Sequence, residues 1–133
     1  MTLVRIGVGP SKIHGLGCIA RETIEEGQMV WRFDDRFDKV ITKEVFESLP
    51  EAARENLVIY AFVSRATGDY ILCSDDSRFT NHSPDPNIVC IIPEGTTGND
   101  LVCYAKRTIL PGEEMTNDYR EFDEESGDDL EFN

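Results

Sequence analysis

At 133 residues, with 40% hydrophobic and 29% charged side chains, the chain is long enough for one domain with a buried core and too short for two. Its formal net charge of −13 disfavours binding to nucleic acid phosphate and favours a basic protein or peptide as a partner, although solubility alone explains the acidity equally well. No apolar run is long enough for a membrane span or a secretory signal, so we expect a soluble, cytoplasmic protein; the sequence leaves delivery to another compartment or host open.

The cysteines lie far apart in apolar, strand-like surroundings and form no Cys-x-x-Cys pair. We therefore predict buried, reduced thiols, with neither a zinc site nor a disulfide framework. The four residues are Cys18, Cys73, Cys90 and Cys103.

Short strands separated by glycine turns are predicted for the first forty residues. Gly15–Gly17 forms a Gly-x-Gly pattern, which by itself is more typical of a hairpin turn than of a ligand cradle. The strands are predicted from alternation and β-forming residues at 3–8, 18–20, 29–33 and 40–41.

One helix is predicted from residue 48 to about residue 64. Ser48 is the expected N-cap of a capping box, with Pro50 in the first turn and Glu51 three residues after the cap. Apolar residues then recur at helical spacing, and we expect the aromatic ones, including Tyr60, to lie in the core.

The second half of the chain again reads as strands. Residues 88–92 and 101–105 are predicted to form a hairpin with a long polar loop, preceded by a strand at 70–73. The fold class is therefore α+β and mostly β, with one domain over residues 1–122 and a mobile acidic tail over 123–133.

Residues 20–27 are similar to residues 105–112, because Ala, Thr, Ile and Gly recur at the same offsets. Two units of one design, each with a glycine at its turn, predict pseudo-symmetric packing of small sheets.

The segment 78–87 combines polar side chains with Pro84 and Pro86, which prevent it from continuing a helix or a central strand. Alone, this rigid loop is more typical of a surface turn than of a binding loop.

Taken together, three blocks make residues 11–122 resemble a SET domain, the fold of protein-lysine methyltransferases that use S-adenosylmethionine. The resemblance implies a β-clip fold of several small sheets, one main helix and a C-terminal pseudoknot in which the second and third blocks cross. In its short middle region and its lack of flanking zinc modules, the chain resembles minimal viral and bacterial SET proteins. The blocks are Gly15-Leu16-Gly17 with Ile24-x-x-Gly27, then Arg78-Phe79-x-Asn81-His82-Ser83-x-x-Pro86-Asn87, then Ile109-x-x-Gly112-Glu113-Glu114-x-x-x-Asp118-Tyr119.

The resemblance also implies roles for individual residues. Tyr119 would orient methyl transfer as an aligning hydroxyl, since an ordinary tyrosine pKa of about 10 makes a poor base at neutral pH. The acceptor lysine would enter through a channel on the opposite face, with Phe33 or Tyr60 as candidate lining residues. The cofactor would be held by Gly15, Leu16, Gly17, Arg78, Asn81 and His82.

Three departures from the family pattern limit this comparison. Pro84 stands where the family commonly has a cysteine, and no cysteine-rich segment follows, so we expect no zinc. Without that segment another residue must cover the adenine of the cofactor, and Phe122 is the candidate. Asn117 stands where the family usually has Phe or Tyr, a position that influences how many methyl groups are added.

The favoured function is therefore methylation of lysine in a basic protein, such as a histone, a histone-like or a ribosomal protein. A catalytically silent SET-like binding module is the alternative, motivated by Asn117. A non-enzymatic β-clip domain is a third reading, which leaves Asn81, His82 and Ser83 unexplained. A homodimer that completes the substrate surface is compatible with so small a domain, although no interface pattern is visible.

Overall fold

The structure, a computed structural model, describes residues 1–96 and 99–123 of the chain. Except for Asp123, the predicted acidic tail therefore lies outside the described residues, as do two residues of the predicted 93–100 loop. The α-helices are α1 (Lys43–Ser48) and α2 (Glu51–Tyr60), and short 3₁₀ helices cover Asp76–Phe79 and Tyr119–Glu121. The strands are β1 (Ile6–Pro10), β2 (Leu16–Ala20), β3 (Met29–Arg32), β4 (Lys39–Ile41), β5 (Phe62–Val63), β6 (Tyr70–Leu72), β7 (Asn81–His82), β8 (Ile88–Ile91), β9 (Val102–Ala105) and β10 (Glu114–Asn117).

These strands form three small sheets, which confirms the predicted mostly β, α+β class. Their orders are β1-β2-β10-β7, β3-β9-β8 and β4-β6-β5. The predicted hairpin is the antiparallel pair β8 and β9, whereas β7 and β10 run parallel to each other. A parallel pair needs a long connection. Here the connection brings the C-terminal strand beside a segment more than thirty residues earlier.

The two similar segments pair with each other, a contact that their similarity alone did not predict. The N–H of Ile24 donates to the carbonyl of Ile109 at 2.8 Å, and the N–H of Ile109 returns the bond at 2.9 Å. Both isoleucines are fully buried, at 0% exposure. They lie in the apolar core together with Trp31, Met115 and Phe122, so the internal repeat sits at the centre of the packing.

The glycines of the two segments occupy equivalent places. Gly27 and Gly112 have φ of 84° and 91°, a region that favours glycine. The Gly27 N–H donates to Ala105 and the Gly112 N–H donates to Ala20, both at 2.8 Å. Each turn therefore closes onto the opposite segment.

The helix prediction is wrong at both ends. Ser48 is the last residue of α1, and its hydroxyl donates to the Val45 carbonyl at 2.6 Å rather than capping the next helix. Leu49 is extended because it precedes Pro50, and a residue before proline disfavours the helical region, so α1, which was not predicted, ends at Ser48 and α2 begins after Pro50. At the other end α2 stops at Tyr60, and strand β5 occupies residues 62–63 of the predicted helix. No residue of α2 is buried, and Tyr60 is only half-buried, against its predicted place in the core.

In the described part of the chain, no helix has the length and apolar character that crossing a membrane requires.

The cysteine prediction is wrong for one pair. Cys90 and Cys103 face each other across the β8–β9 hairpin and form a disulfide, while Cys18 and Cys73 are free and buried as expected. Spacing along the chain did not indicate this bond, because it depends on the register of the hairpin.

Replacement of Ile109 by alanine should lower the free energy of unfolding by about 2–5 kcal/mol, because it leaves a cavity in the packed core. Urea unfolding followed by tryptophan fluorescence measures the change. Leu110→Ala is the matched control, since Leu110 is 54% exposed and should cost less than about 0.5 kcal/mol. Equal losses in the two variants would contradict the central position of Ile109.

Candidate functional site

The three sequence blocks meet at strand β10. Glu114 and Met115 at its start pair with β2, which carries the first block. At its end Thr116 lies beside Asn81 and Asn117 beside His82, in parallel register. The second and third blocks are therefore in contact, as the expected crossing required.

Asn81 binds the glycine loop to β10. Its side-chain NH₂ lies 3.0 Å from the Leu16 carbonyl, 3.1 Å from the His14 carbonyl and 3.1 Å from Glu114 Oε2. It also lies 3.0 Å from Ser11 Oγ. Because the amide has two hydrogens for four acceptors, it is engaged entirely within the protein.

The Glu114 carboxylate lies beneath the same loop. It accepts a hydrogen bond from the Ser11 hydroxyl at 2.8 Å and one from the Lys12 N–H at 3.3 Å. A Cβ on Gly17 would stand only 2.6 Å from Glu114 Oε2, so this close approach requires glycine. The sequence analysis missed Ser11 entirely and quoted Glu114 without a role. The available signal was that Gly17 and Glu114 both belong to the matching blocks.

Asn87 is a further residue to which the sequence analysis gave no role. Its side chain donates to the Glu114 carbonyl at 2.9 Å and accepts from the Thr116 N–H at 2.8 Å. It is 4% exposed. The Asn87 side chain therefore holds the end of the polar loop against β10, because it bonds to the β10 backbone as the backbone of a neighbouring strand would.

His82 holds the segment that follows the C-terminal end of β10. Its Nδ1 accepts the Tyr119 N–H at 2.9 Å, which places the proton of the neutral ring on Nε2. Burial lowers the pKa of His82, and this outweighs the Asp118 carboxylate 3.6 Å away, which acts in the opposite direction. Hydrogen bonds from Arg120 at 2.9 and 2.8 Å hold the pKa of Asp118 below its ordinary value.

The Tyr119 hydroxyl donates to the Thr80 carbonyl at 2.6 Å. Its ring makes edge contacts with His82 and Phe122. Burial, with the charges of Asp123 and Glu114, raises the pKa of Tyr119 to about 12. The hydroxyl is therefore protonated at neutral pH, in agreement with an aligning rather than a basic role.

A cavity of about 320 Å³ adjoins this junction. Of the residues predicted to form the site, Arg78, Tyr119 and Phe122 line it. Gly15, Leu16, Gly17, Asn81 and His82 do not line it and instead form the junction beside it. Tyr60, one of the two candidates for the lysine channel, lies in its wall, whereas Phe33 does not.

The cavity wall is mainly apolar but contains two buried polar atoms of opposite character. The Trp31 Nε1–H is a donor and the Asn117 Oδ1 is an acceptor. Neither has a hydrogen-bond partner among residues 1–96 and 99–123. Both atoms are buried with almost no accessible surface, so what the cavity itself offers a ligand is its mainly apolar lining.

Metal coordination has no visible basis in the described residues, where no three His, Cys, Asp or Glu side chains are grouped to hold an ion.

A sequence model of the SET domain family matches residues 15–120. The chain belongs to the SET domain family. It is 32% identical over 122 residues to "Histone-lysine N-methyltransferase, H3 lysine-4 specific" of Schizosaccharomyces pombe, covering 89% of this chain and 13% of that protein. It is 34% identical over 122 residues to histone-lysine N-methyltransferase set1 of Dictyostelium discoideum, covering 87% of this chain and 8% of that protein. The chain thus spans only a small part of these relatives.

Solved structures confirm the predicted SET fold. The Neurospora SET domain protein DIM-5, a histone lysine methyltransferase, has a TM-score of 0.59 at 24% identity, covering 89% of this chain and 53% of that one. The ctPRC2 complex in an autoinhibited conformation bound to S-adenosylmethionine gives a TM-score of 0.64 at 26% identity, covering 90% of this chain and 16% of that one.

Gly17→Ala should destabilise the protein by about 1–3 kcal/mol, because the new methyl group collides with the Glu114 carboxylate. In a Glu114→Ala background the same substitution should cost clearly less, since the colliding group is absent. Urea unfolding of the wild type, both single variants and the double variant measures this coupling. Strict additivity of the two changes would contradict the contact.

The pH dependence of stability should report on His82. Its folded-state pKa lies below the ordinary 6.5, so the unfolded chain binds more protons as the pH falls through 6.5. The contribution of neutral His82 to the free energy of unfolding is therefore complete above pH 6.5 and is lost as the pH falls below it. Urea unfolding between pH 7 and about 5 should show this decline.

Asn at position 82 can accept the Tyr119 N–H through its amide oxygen and does not titrate, so His82→Asn should flatten the decline. His14 is exposed, and His14→Asn should keep the wild-type slope. An unchanged slope in His82→Asn would show that another group causes the pH dependence.

Proposed function

We propose that the chain is an S-adenosylmethionine-dependent protein-lysine N-methyltransferase that acts on a basic protein. The observation that carries this proposal is the protonated Tyr119 hydroxyl in the wall of an apolar cavity, held beside the junction of the three SET blocks. Two SET-family relatives with the name histone-lysine N-methyltransferase, and a structural neighbour bound to S-adenosylmethionine, support it.

The residues present fit such a cofactor. Arg78 offers a cation for a carboxylate, and Phe122 offers an aromatic edge for the adenine, both in the cavity wall. Gly15–Gly17, Asn81 and His82 belong to the junction beside the cavity, where Asn81 holds the glycine loop and His82 holds Tyr119. When bound, S-adenosylmethionine supplies a methyl group activated by a sulfonium.

Tyr119 acts in this proposal by alignment. Its proton is committed to the Thr80 carbonyl, which leaves the hydroxyl oxygen as an acceptor beside the cavity. Methyl transfer is an in-line displacement whose rate depends on holding the reacting groups in position, and it needs no strong base at Tyr119.

The apolar cavity also suits the incoming lysine. An amine in an apolar, desolvated environment has a lowered pKa, so it arrives neutral and nucleophilic. Tyr60 belongs to the proposed channel. Asn117 also lines this cavity, so the residue at the position that influences how many methyl groups are added adjoins the proposed channel.

The charge of the chain supports a basic substrate. The formal net charge of −13 favours a cationic protein or peptide and disfavours direct contact with nucleic acid. A histone or histone-like protein is the proposed substrate, by analogy with the relatives' names. The minimal viral or bacterial subtype, the absence of zinc, the homodimer and the cytoplasmic location remain predictions.

Tyr119→Phe should reduce methyl transfer on the order of a hundredfold, because the aligning hydroxyl is lost. Cofactor affinity should change little, since the ring and its packing remain. Transfer of labelled methyl groups to mixed basic proteins measures the first quantity, and titration calorimetry measures the second. Mass spectrometry of the product counts the methyl groups. Tyr104→Phe is the matched control, since Tyr104 does not line the cavity.

Undiminished transfer by Tyr119→Phe would refute the role of the hydroxyl. If the wild type does not bind S-adenosylmethionine, the proposed methyltransferase function is refuted. Binding without transfer to any basic protein would favour the catalytically silent module.

A further inference from the structure

All four cysteines of the chain, although dispersed in sequence, line the same cavity. Burial raises the pKa of both Cys18 and Cys73 to about 12, so these free thiols are poor nucleophiles. Cys90 and Cys103 are joined as a disulfide. The proposed reaction uses none of these sulfur atoms.

The bonded pair stands in a row with the only tryptophan of the chain. In the three-stranded sheet, Trp31 lies opposite Cys103 on one side, and Cys90 lies opposite Cys103 on the other. The three side chains are 7%, 5% and 4% exposed, respectively. All three line the cavity, so the disulfide forms part of its wall.

We propose that the Cys90–Cys103 pair is a redox-sensitive element whose oxidation state and the occupancy of the cavity influence each other. The proposal rests on the proposed function only in naming the cofactor as the occupant. The element itself is defined by the disulfide and by its place in the cavity wall.

Reduction requires a small thiol reagent to reach the buried sulfurs. A thiolate of a low-molecular-weight dithiol attacks one sulfur, breaks the Cys90–Cys103 bond and forms a mixed disulfide. The second thiol of the reagent then displaces the protein sulfur. Cys90 and Cys103 gain two electrons and two protons and become thiols, while the reagent is oxidised to its own disulfide. Because both residues are buried, the cavity is the route of entry.

The wall of the cavity differs between the oxidised and the reduced state of the Cys90–Cys103 pair. Two thiols cannot remain at bonding distance, and protein interiors are closely packed, so the sulfurs separate into the open space beside them. Reduction therefore takes space from the cavity and weakens the binding of an occupant. By reciprocity, an occupant favours the disulfide.

The first experiment counts thiols in the purified chain. Alkylation in denaturant without reductant should label Cys18 and Cys73 only, and peptide mapping should find Cys90 linked to Cys103. Dithiothreitol should then raise the Trp31 fluorescence, since a neighbouring disulfide quenches indole emission, and the double variant Cys90→Ala, Cys103→Ala should show no such rise. Four free thiols before reduction would overturn the proposal.

The second experiment tests whether the reducing agent reaches the disulfide through the cavity. Ile59 lines the cavity and is 70% exposed, so it stands where the cavity opens to solvent. Ile59→Phe should slow reduction by dithiothreitol several-fold. Val45 is 49% exposed but does not line the cavity, and Val45→Phe should not slow it. Equal rates in the two variants would overturn entry through the cavity.

The third experiment tests the coupling with S-adenosylhomocysteine as the probe. Its affinity should be on the order of tenfold lower for the reduced protein, the effect of overpacking a fitted site. Cys73→Ala should keep this difference, because Cys73 takes no part in the bond. Equal affinity in both states would overturn the coupling. No binding in either state would count against the proposed function, and the thiol count and the Ile59→Phe rate would then decide the redox element.

Discussion

The three sequence blocks of this SET domain meet around the carboxylate of Glu114. It accepts hydrogen bonds from Ser11 and lies within hydrogen-bond distance of the Asn81 amide, while the absence of a side chain on Gly17 allows it to approach the loop. A partly buried carboxylate is tolerated only when donors surround it. The glycine loop supplies donors and the room at Gly17, the polar loop supplies a donor, and strand β10 carries the carboxylate, so one contact joins all three blocks.

Around this contact the residues divide into two groups with different tasks. Asn81, His82 and Asn87 are committed to hydrogen bonds within the protein and hold β10 in place. Tyr119 and Asn117 belong to the same segment but reach the cavity, where chemistry takes place in the proposed function. A rigid first group is what allows the second to be positioned accurately, because alignment is the main contribution a protein makes to a displacement at a methyl group.

Burial gives the cavity its chemical character. It keeps the Tyr119 hydroxyl protonated by raising its pKa to about 12, and it favours the neutral form of His82. The same environment suppresses the thiolates of Cys18 and Cys73, which leaves the Cys90–Cys103 bond as the reactive sulfur group in the wall. An apolar lining therefore selects which of its polar groups can take part in reactions.

The sequence by itself determined most of the strands, the β8–β9 hairpin, the similarity of the two repeated segments and the SET fold, because these follow from side-chain alternation, from turn residues and from three short blocks in order. It failed at the helices, where α1 was not predicted and Ser48 ends that helix instead of capping the next one, because the residue before Pro50 is extended. Only the tertiary structure decided that Cys90 meets Cys103, that Asn81 is engaged by Ser11 and Glu114, and that Arg78 and Phe122 face the cavity while Gly15–Gly17 stands beside it. Local patterns record interactions over a few residues. These contacts join groups up to 70 residues apart, whose meeting depends on strand register and on how the sheets pack.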